Sequence, residues 1–134
     1  MSPAFDHLTD GASIYAASLL AREWGFPREV VPVELTQAEW FQGDGIVFWL
    51  EHYEPVTSTW FVHVAVDPER RPARWPVRRW IRFIERFAAS HGASELGFVG
   101  CGTYGEAEGY LRRLGWRDTS FGLAIPVHRA AEAA

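Results

Sequence analysis

The chain has 134 residues, of which 48% are hydrophobic, 22% are charged and 15% are aromatic. This length suits one domain and excludes two cores of ordinary size, and the composition is that of a globular protein rather than a disordered one. The formal net charge of −4 argues against a nucleic-acid-binding protein, because such proteins usually carry an excess of basic residues.

The N-terminal third of the chain predicts one helix. We expect it over residues 11–24, because apolar residues recur there at helical spacing and because Thr9 or Asp10 can cap its first turn. Residues 1–8 are a poor candidate for a strand, so the N-terminal part looks shortened. Residues 30–35 read as an extended or irregular segment.

The middle of the chain predicts a pair of antiparallel strands. Residues 36–41 suggest one helical turn, and the glycines within residues 42–45 predict a turn. The segments 46–53 and 59–66 are rich in β-branched and aromatic residues and therefore predict two strands, joined by a turn at 54–58. The alternation along the second strand places Val62, Val64 and Val66 on one face and Phe61, His63 and Ala65 on the other.

The C-terminal half predicts an alternation of helices and strands. An amphipathic helix is expected from Arg74 or Trp75 to residue 90, a buried strand over 96–99, and a helix from Tyr104 or Glu106 to residue 114. Residues 116–125 predict one final strand. A strand–helix–strand unit of this length favours parallel pairing, so we expect a mixed sheet.

Two motifs in this half carry a family resemblance. Val66-Asp67-Pro68 ends a strand and leads through Arg70-Arg71 into a helix, and a later helix runs from Tyr104-Gly105-Glu106-Ala107 to Leu114-Gly115-Trp116. In order and spacing the stretch 59–125 resembles the second half of the GNAT N-acetyltransferases. The resemblance implies an α/β (α+β) fold, in which a mixed central sheet is flanked by helices on both faces.

The cofactor loop departs from the family pattern. The family places glycines in this loop so that backbone N–H groups approach a pyrophosphate at a helix N-terminus. Here the loop reads Arg71-Pro72-Ala73-Arg74-Trp75-Pro76, with Arg74 and Pro76 at the two glycine positions. Proline has no N–H donor. The resemblance therefore implies that the fold is kept while the phosphate-binding loop is altered.

The positions that family members use for catalysis also differ. The family's asparagine corresponds to Tyr104, its general-acid tyrosine to Leu111, and the glutamate base of some members falls near Trp60. Tyr110 is adjacent to Leu111, but one residue along a helix turns a side chain by roughly 100°.

These departures favour a non-catalytic GNAT-like protein that acts through protein contacts and needs no cofactor. Shortened, glycine-poor domains of this kind resemble internal or structural proteins of short-tailed bacteriophages, which implies a virion component. The alternative is an acetyl-CoA-dependent N-acyltransferase acting on an amine. Its cofactor contacts would be Val66, Arg71, Arg74 and Trp75, and its proton-transfer groups Tyr104, Tyr110 and His63.

The arginines of the second half leave a third interpretation open. Residues 70–86 hold more than half of the basic residues, and Arg78, Arg82 and Arg86 follow at four-residue spacing. The pattern is typical of a solvated helix face, and it also fits an anion-binding or nucleic-acid-binding surface. We expect nucleic acid to be the less suitable partner, because the chain is acidic overall.

Several single residues each have two interpretations. His63 fits a hydrogen-bonded core residue or a general base, and Cys101 fits a buried thiol or a nucleophile. Glu51 and His52 could point at an open sheet edge.

The tryptophans carry two further expectations. Trp49 and Trp60 could pair across the hairpin. Trp40 and Trp75 lie near predicted element ends, where an exposed ring would indicate a partner surface.

The remaining expectations concern location and metal. The single cysteine excludes an intramolecular disulfide, and the five histidines show no metal-ligand spacing. The first ten residues lack the features of a secretory signal, and no apolar run approaches the about 20 residues of a membrane span. We expect a cytoplasmic protein or one assembled into a particle there, with a frayed tail at residues 130–134.

Overall fold

The computed structural model describes residues 5–31, 38–43, 45–52, 58–69, 77–98, 105–120 and 122–127. Within these residues the chain forms strands and helices in the order β1, α1, β2, β3, β4, α2, β5, α3, β6, β7. The strands are β1 Phe5–Leu8, β2 Ala38–Gly43, β3 Ile46–Glu51, β4 Thr59–Val66, β5 Glu95–Phe98, β6 Arg117–Asp118 and β7 Leu123–Pro126. The helices are α1 Gly11–Glu23, α2 Val77–Ser90 and α3 Gly105–Arg113.

All the strands join one mixed sheet. Its order is β1-β2-β3-β4-β5-β7-β6, and every neighbouring pair is antiparallel except β4 and β5. Parallel strands need a long crossover connection, and α2 lies within the connection from β4 to β5. The predictions of a mixed sheet and of an antiparallel β3–β4 pair are confirmed. The parallel pairing expected of a strand–helix–strand unit holds for β4 and β5, but β5 and β7, which flank α3, pair antiparallel.

The sheet has a hydrophobic core on each face. On one face Val62 and Val64 of β4 pack in a cluster with Ile81 and Ile84 of α2 and with Leu111 of α3. On the other face α1 packs over β2, β3 and β4, and the buried residues there include Ile14, Ala17, Trp40, Trp49 and Ala65. The predicted alternation of β4 is correct, and helices cover both faces of the sheet.

Helix α1 begins where the sequence predicts. The side chain of Asp10 accepts a hydrogen bond from the backbone N–H of Ser13 at 2.8 Å, so Asp10 is the N-cap. The helix ends before Gly25, whose φ of 106° is the left-handed conformation that favours glycine. Among the described residues, no helix has the length and apolarity needed to cross a membrane.

Two N-terminal expectations are wrong. Residues 5–8 form β1, which pairs with β2 from Phe5 opposite Gly43 to Leu8 opposite Trp40. Residues 38–41, expected in a helical turn, belong to β2, which lies between β1 and β3. A short segment takes its conformation from the partners it pairs with, because local propensity is weak compared with pairing and burial. The opening strand of the fold is therefore present.

Two expected boundaries also change. Gln42 and Gly43 lie inside β2, and the tight turn to β3 contains Gly45 at a φ of 73°. The single final strand is instead two strands, β6 and β7, which pair antiparallel across a turn in which Thr119 N–H donates to Gly122 O at 2.7 Å. A glycine within a strand pattern often marks such a turn, and Gly122 has a φ of 145°.

Candidate functional site

Among the described residues, strands β4 and β5 pair along the first half of β4. Their parallel register runs from Thr59 opposite Glu95 to Val62 opposite Phe98, where the described part of β5 ends. Strand β4 continues for four more residues to Val66 and stays paired with β3 up to its end. Residues 99–104, which follow β5, lie outside the described residues. The carboxyl end of a parallel strand pair is where ligands bind in open α/β sheets.

His63 follows Val62 on β4, and its side chain lies on the α1 face. It is only 4% exposed. Its ring stacks on Trp49 with centroids 5.1 Å apart, and Trp49 stacks on Trp40 at 4.7 Å. These residues are direct cross-strand neighbours on β2, β3 and β4, so three rings form a stacked row across the sheet. Phe26 packs edge-on against Trp49 and His63.

Glu51 connects two members of this row. Trp49 Nε1 donates a hydrogen bond to Glu51 Oε1 at 2.7 Å, and Glu51 Oε2 lies 3.4 Å from His63 Nε2. The carboxylate is buried, and its burial is tolerable because polar partners surround it. The expectation that Glu51 points at an open sheet edge is wrong, because β3 lies between β2 and β4.

The second ring nitrogen of His63 has a different environment. Nδ1 is buried and has no hydrogen-bond partner among the described residues. Glu51 lies opposite Phe61, toward the start of β4, and the two nitrogens point to opposite sides of an imidazole. Nδ1 therefore points away from Glu51. With a proton on Nε2 directed at Glu51, Nδ1 is a hydrogen-bond acceptor.

The family's base and acid positions lie in the opposite core. Trp60 is 3% exposed, and its ring stacks on His52 with centroids 4.5 Å apart. Leu111 is 2% exposed and packs in the same cluster on the α2 face. The expected pairing of Trp49 with Trp60 is wrong, because the two rings lie on opposite faces of the sheet. Trp40 is fully buried, so it offers no partner surface.

The structure describes few of the other predicted site residues. Arg71, Arg74, Trp75, Tyr104 and also Cys101 lie outside the described residues. Tyr110 lies within α3, next to Leu111. Val66 ends β4 and is buried on the face opposite His63, so these two predicted residues do not converge as side chains.

The sequence interpretation missed the contact between Glu51 and His63. A signal for it existed, because Trp49 and Glu51 alternate onto one face of β3, and an antiparallel register of 46–51 with 61–66 sets His63 opposite Trp49. Over the described ranges, no group of three or more His, Cys, Asp or Glu side chains could hold a metal ion.

Solved structures with a similar arrangement include proteins named as acetyltransferases. A candidate acetyltransferase of the GNAT family from Desulfovibrio desulfuricans has a TM-score of 0.65 and 12% identity, covering 92% of this chain and 98% of its own. The smu.2055 protein of Streptococcus mutans has a TM-score of 0.65 and 10% identity, covering 95% and 99%. A Bacillus subtilis acetyltransferase in complex with CoA has a TM-score of 0.62 and 16% identity, covering 87% and 77%.

The sequence itself carries too little similarity to identify relatives. No protein-family model and no curated protein matches it. The likeness to solved structures thus rests on three-dimensional arrangement, which persists at identities of 10–16%. The chain has the GNAT fold.

Proposed function

We propose that this chain is a GNAT-fold protein that has lost the family's acid–base chemistry and acts through contacts with other proteins. The supporting observation is the burial of Trp60 and Leu111, the residues that correspond by resemblance to the family's base and acid. An indole N–H is a donor only, and an isobutyl group has no proton to exchange. Both side chains contribute to packing instead.

The altered loop supports the same proposal. Arg74 and Pro76 replace the glycines that bring backbone N–H groups close to a pyrophosphate, and proline also removes a donor. A scaffold that keeps its sheet and core while its ligand-binding and proton-transfer positions change is suited to a structural role. Because of the resemblance to internal proteins of short-tailed bacteriophages, we propose that these protein contacts are made within a virion.

Calorimetric titration with acetyl-CoA tests this proposal. We expect no binding at micromolar strength by the wild-type protein. Micromolar binding that disappears in Arg74→Glu would contradict the proposal. Arg86→Glu is the matched control, because Arg86 is exposed near the opposite end of α2.

The second candidate is an acyl-CoA-dependent N-acyltransferase, and His63 favours it. His63 Nδ1 is buried and has no hydrogen-bond partner among the described residues, so in this candidate it is the nitrogen that would act as the general base. A loop without glycines does not suit a pyrophosphate, so the cofactor contacts of this candidate depend on side chains. In this candidate Arg71 and Arg74 hold the phosphates, with Trp75 and the backbone of Val66 beside the ligand. Tyr104 or Tyr110 donates a proton.

A histidine comparison separates the two candidates. If the enzyme candidate holds, His63→Gln lowers the rate of acyl transfer to a panel of amines by about 100-fold or more without changing affinity for CoA. His52→Gln serves as the control, because His52 stacks on Trp60 at the other face. Absence of transfer in the wild-type protein would leave the first proposal standing.

A further inference from the structure

The carboxylate of Glu51 lies between two rings of the stacked row on the α1 face. Trp49 Nε1 donates a hydrogen bond to Oε1 at 2.7 Å, and Oε2 lies 3.4 Å from His63 Nε2. The exposed fraction of the side chain is 6% for Glu51 and 5% for His63. Water screens such a buried contact very little, so the polar partners of each ring determine where its protons lie.

The hydrogen bond from Trp49 sets the direction of the carboxylate. An indole N–H can only donate, so the oxygen that it contacts is an acceptor. The indole is itself held in place, because its ring stacks between Trp40 and His63. The second oxygen of Glu51 is thereby directed at His63. An ionised carboxylate has only acceptor oxygens, so this contact favours a proton on His63 Nε2.

We propose that Glu51 is a positioning residue for His63, and that it holds the imidazole neutral, with the proton on Nε2 and Nδ1 as a proton acceptor. The hydrogen bond of one ring nitrogen sets the protonation of the other. An imidazolium would place a charged N–H at Nδ1, which is buried and has no hydrogen-bond partner among the described residues. The neutral ring avoids burying that unpaired charged donor.

The chemistry of this arrangement is that of an oriented base. A carboxylate behind an imidazole keeps the ring in one tautomer and one orientation, and the far nitrogen can then accept a proton. The chemical class that suits Nδ1 is a hydrogen-bond donor such as a neutral amine. The inference rests on the second candidate of the proposed function only in naming an amine. Its test uses neither acetyl-CoA nor an amine.

Nitrogen NMR of the protein with isotope-labelled histidine tests the tautomer. At neutral pH we expect His63 to show a protonated Nε2 and an unprotonated Nδ1. His63→Gln assigns the signals, because its spectrum lacks those of this ring. Two protonated nitrogens at neutral pH would overturn the inference, and so would a proton on Nδ1 alone.

The isosteric variant Glu51→Gln separates positioning from packing. Trp49 Nε1 still requires an acceptor and takes the amide oxygen, so the amide NH₂ faces His63. An NH₂ can only donate, and His63 Nε2 must then accept, which moves the ring proton to Nδ1. We expect the NMR signals to show this exchange of tautomers at nearly constant side-chain volume. A variant that keeps the wild-type tautomer contradicts the inference.

A second substitution should restore the original tautomer. When Trp49→Phe is added to Glu51→Gln, the indole donor is absent and the amide can turn its oxygen toward His63. We expect the tautomer with the proton on Nε2 to reappear. A double variant with the proton only on Nδ1 would contradict the part that Trp49 has in the inference.

The exposed pair of His7 and Glu39 supplies the matched control. Its side chains are 39% and 35% exposed, and His7 stacks on Phe41 at the other face of the sheet. Glu39→Gln removes the same charge as Glu51→Gln and should leave the tautomer of His63 unchanged. An equal effect of both variants would overturn the inference. If the tautomers behave as expected and no acyl transfer is found, Glu51 positions His63 and the second candidate is wrong.

Discussion

Glu51 and His63 face each other inside the core, with Oε2 of the carboxylate 3.4 Å from Nε2 of the ring. They lie on neighbouring strands and are both buried. The protein has a second pair of the same residue types, His7 and Glu39, whose side chains are 39% and 35% exposed at a separation of 2.8 Å. The two pairs differ mainly in burial, which makes them a matched comparison.

We expect the buried pair to be strongly coupled in stability. Glu51→Leu leaves Trp49 Nε1 and His63 Nε2 without this acceptor and should lower the free energy of unfolding by about 2–4 kcal/mol. Glu51→Leu combined with His63→Leu should cost less than the sum of the single changes, because the second change removes an unpartnered group. Urea unfolding measures each variant. A double-mutant cycle on His7 and Glu39 should give an interaction free energy of about 1 kcal/mol or less. Equal interaction free energies for the buried and the exposed pair would refute the prediction.

The N-cap of α1 should make stability depend on acid pH. Hydrogen bonds from the side chain of Ser13 and then from its backbone N–H lower the pKa of Asp10. A lowered pKa in the folded state means that the contribution is present above the unfolded pKa and is lost as pH falls through the folded value. Asp10→Ala should lower the thermal unfolding midpoint at neutral pH. The midpoint of this variant should also decrease less than that of the wild-type protein when the pH is lowered. Asp10→Asn should have a higher unfolding midpoint than Asp10→Ala, because an amide oxygen can also accept the hydrogen bond at the N-cap. Thermal scans between neutral pH and acid check this.

Two glycines of the α3 region should respond in opposite directions to alanine. Gly109 lies inside α3 with no atom within 4 Å of an added Cβ, so Gly109→Ala should stabilise the protein by about 0.5–1 kcal/mol. Gly115 also has free space, but its φ of 99° strains any residue with a Cβ, and Gly115→Ala should cost about 1–2 kcal/mol. Chemical unfolding measures the stability of both variants. Because both sites have room for a Cβ, the difference between them reflects backbone conformation. The same sign for both would contradict the argument.

Restoring a tyrosine at the family's acid position should not restore chemistry. Leu111 is packed in the core on the α2 face, so Leu111→Tyr should cost about 1–3 kcal/mol through overpacking. Leu111→Ala should cost about 2–5 kcal/mol through the cavity that it leaves. Leu114→Ala is the control and should cost less, because Leu114 is only partly buried. A Leu111→Tyr variant that folds as stably as wild type and transfers an acyl group would contradict both the packing argument and the proposed function.

Much of the fold follows from local patterns in the sequence. The alternation along β4, the cap at Asp10 and the apolar stripe of α2 each predict their element directly, because period 2 and period 3.6 separate a strand from a helix. The segments whose structure was predicted wrongly are short. Residues 5–8 and 38–43 are too short for a pattern to recur many times. They are strands because they pair with each other, and residues 38–43 also pair with β3.

The candidate site depends more strongly on tertiary structure. The sequence by itself predicted a mixed sheet, and its resemblance to the GNAT family predicted the fold. The resemblance also implied an altered cofactor loop and altered proton-transfer positions. The tertiary structure alone decided that Trp60 and Leu111 are core residues and that His63 meets Glu51. The reason is that burial and partner identity arise between segments distant in the chain, where strand register and helix docking set every contact.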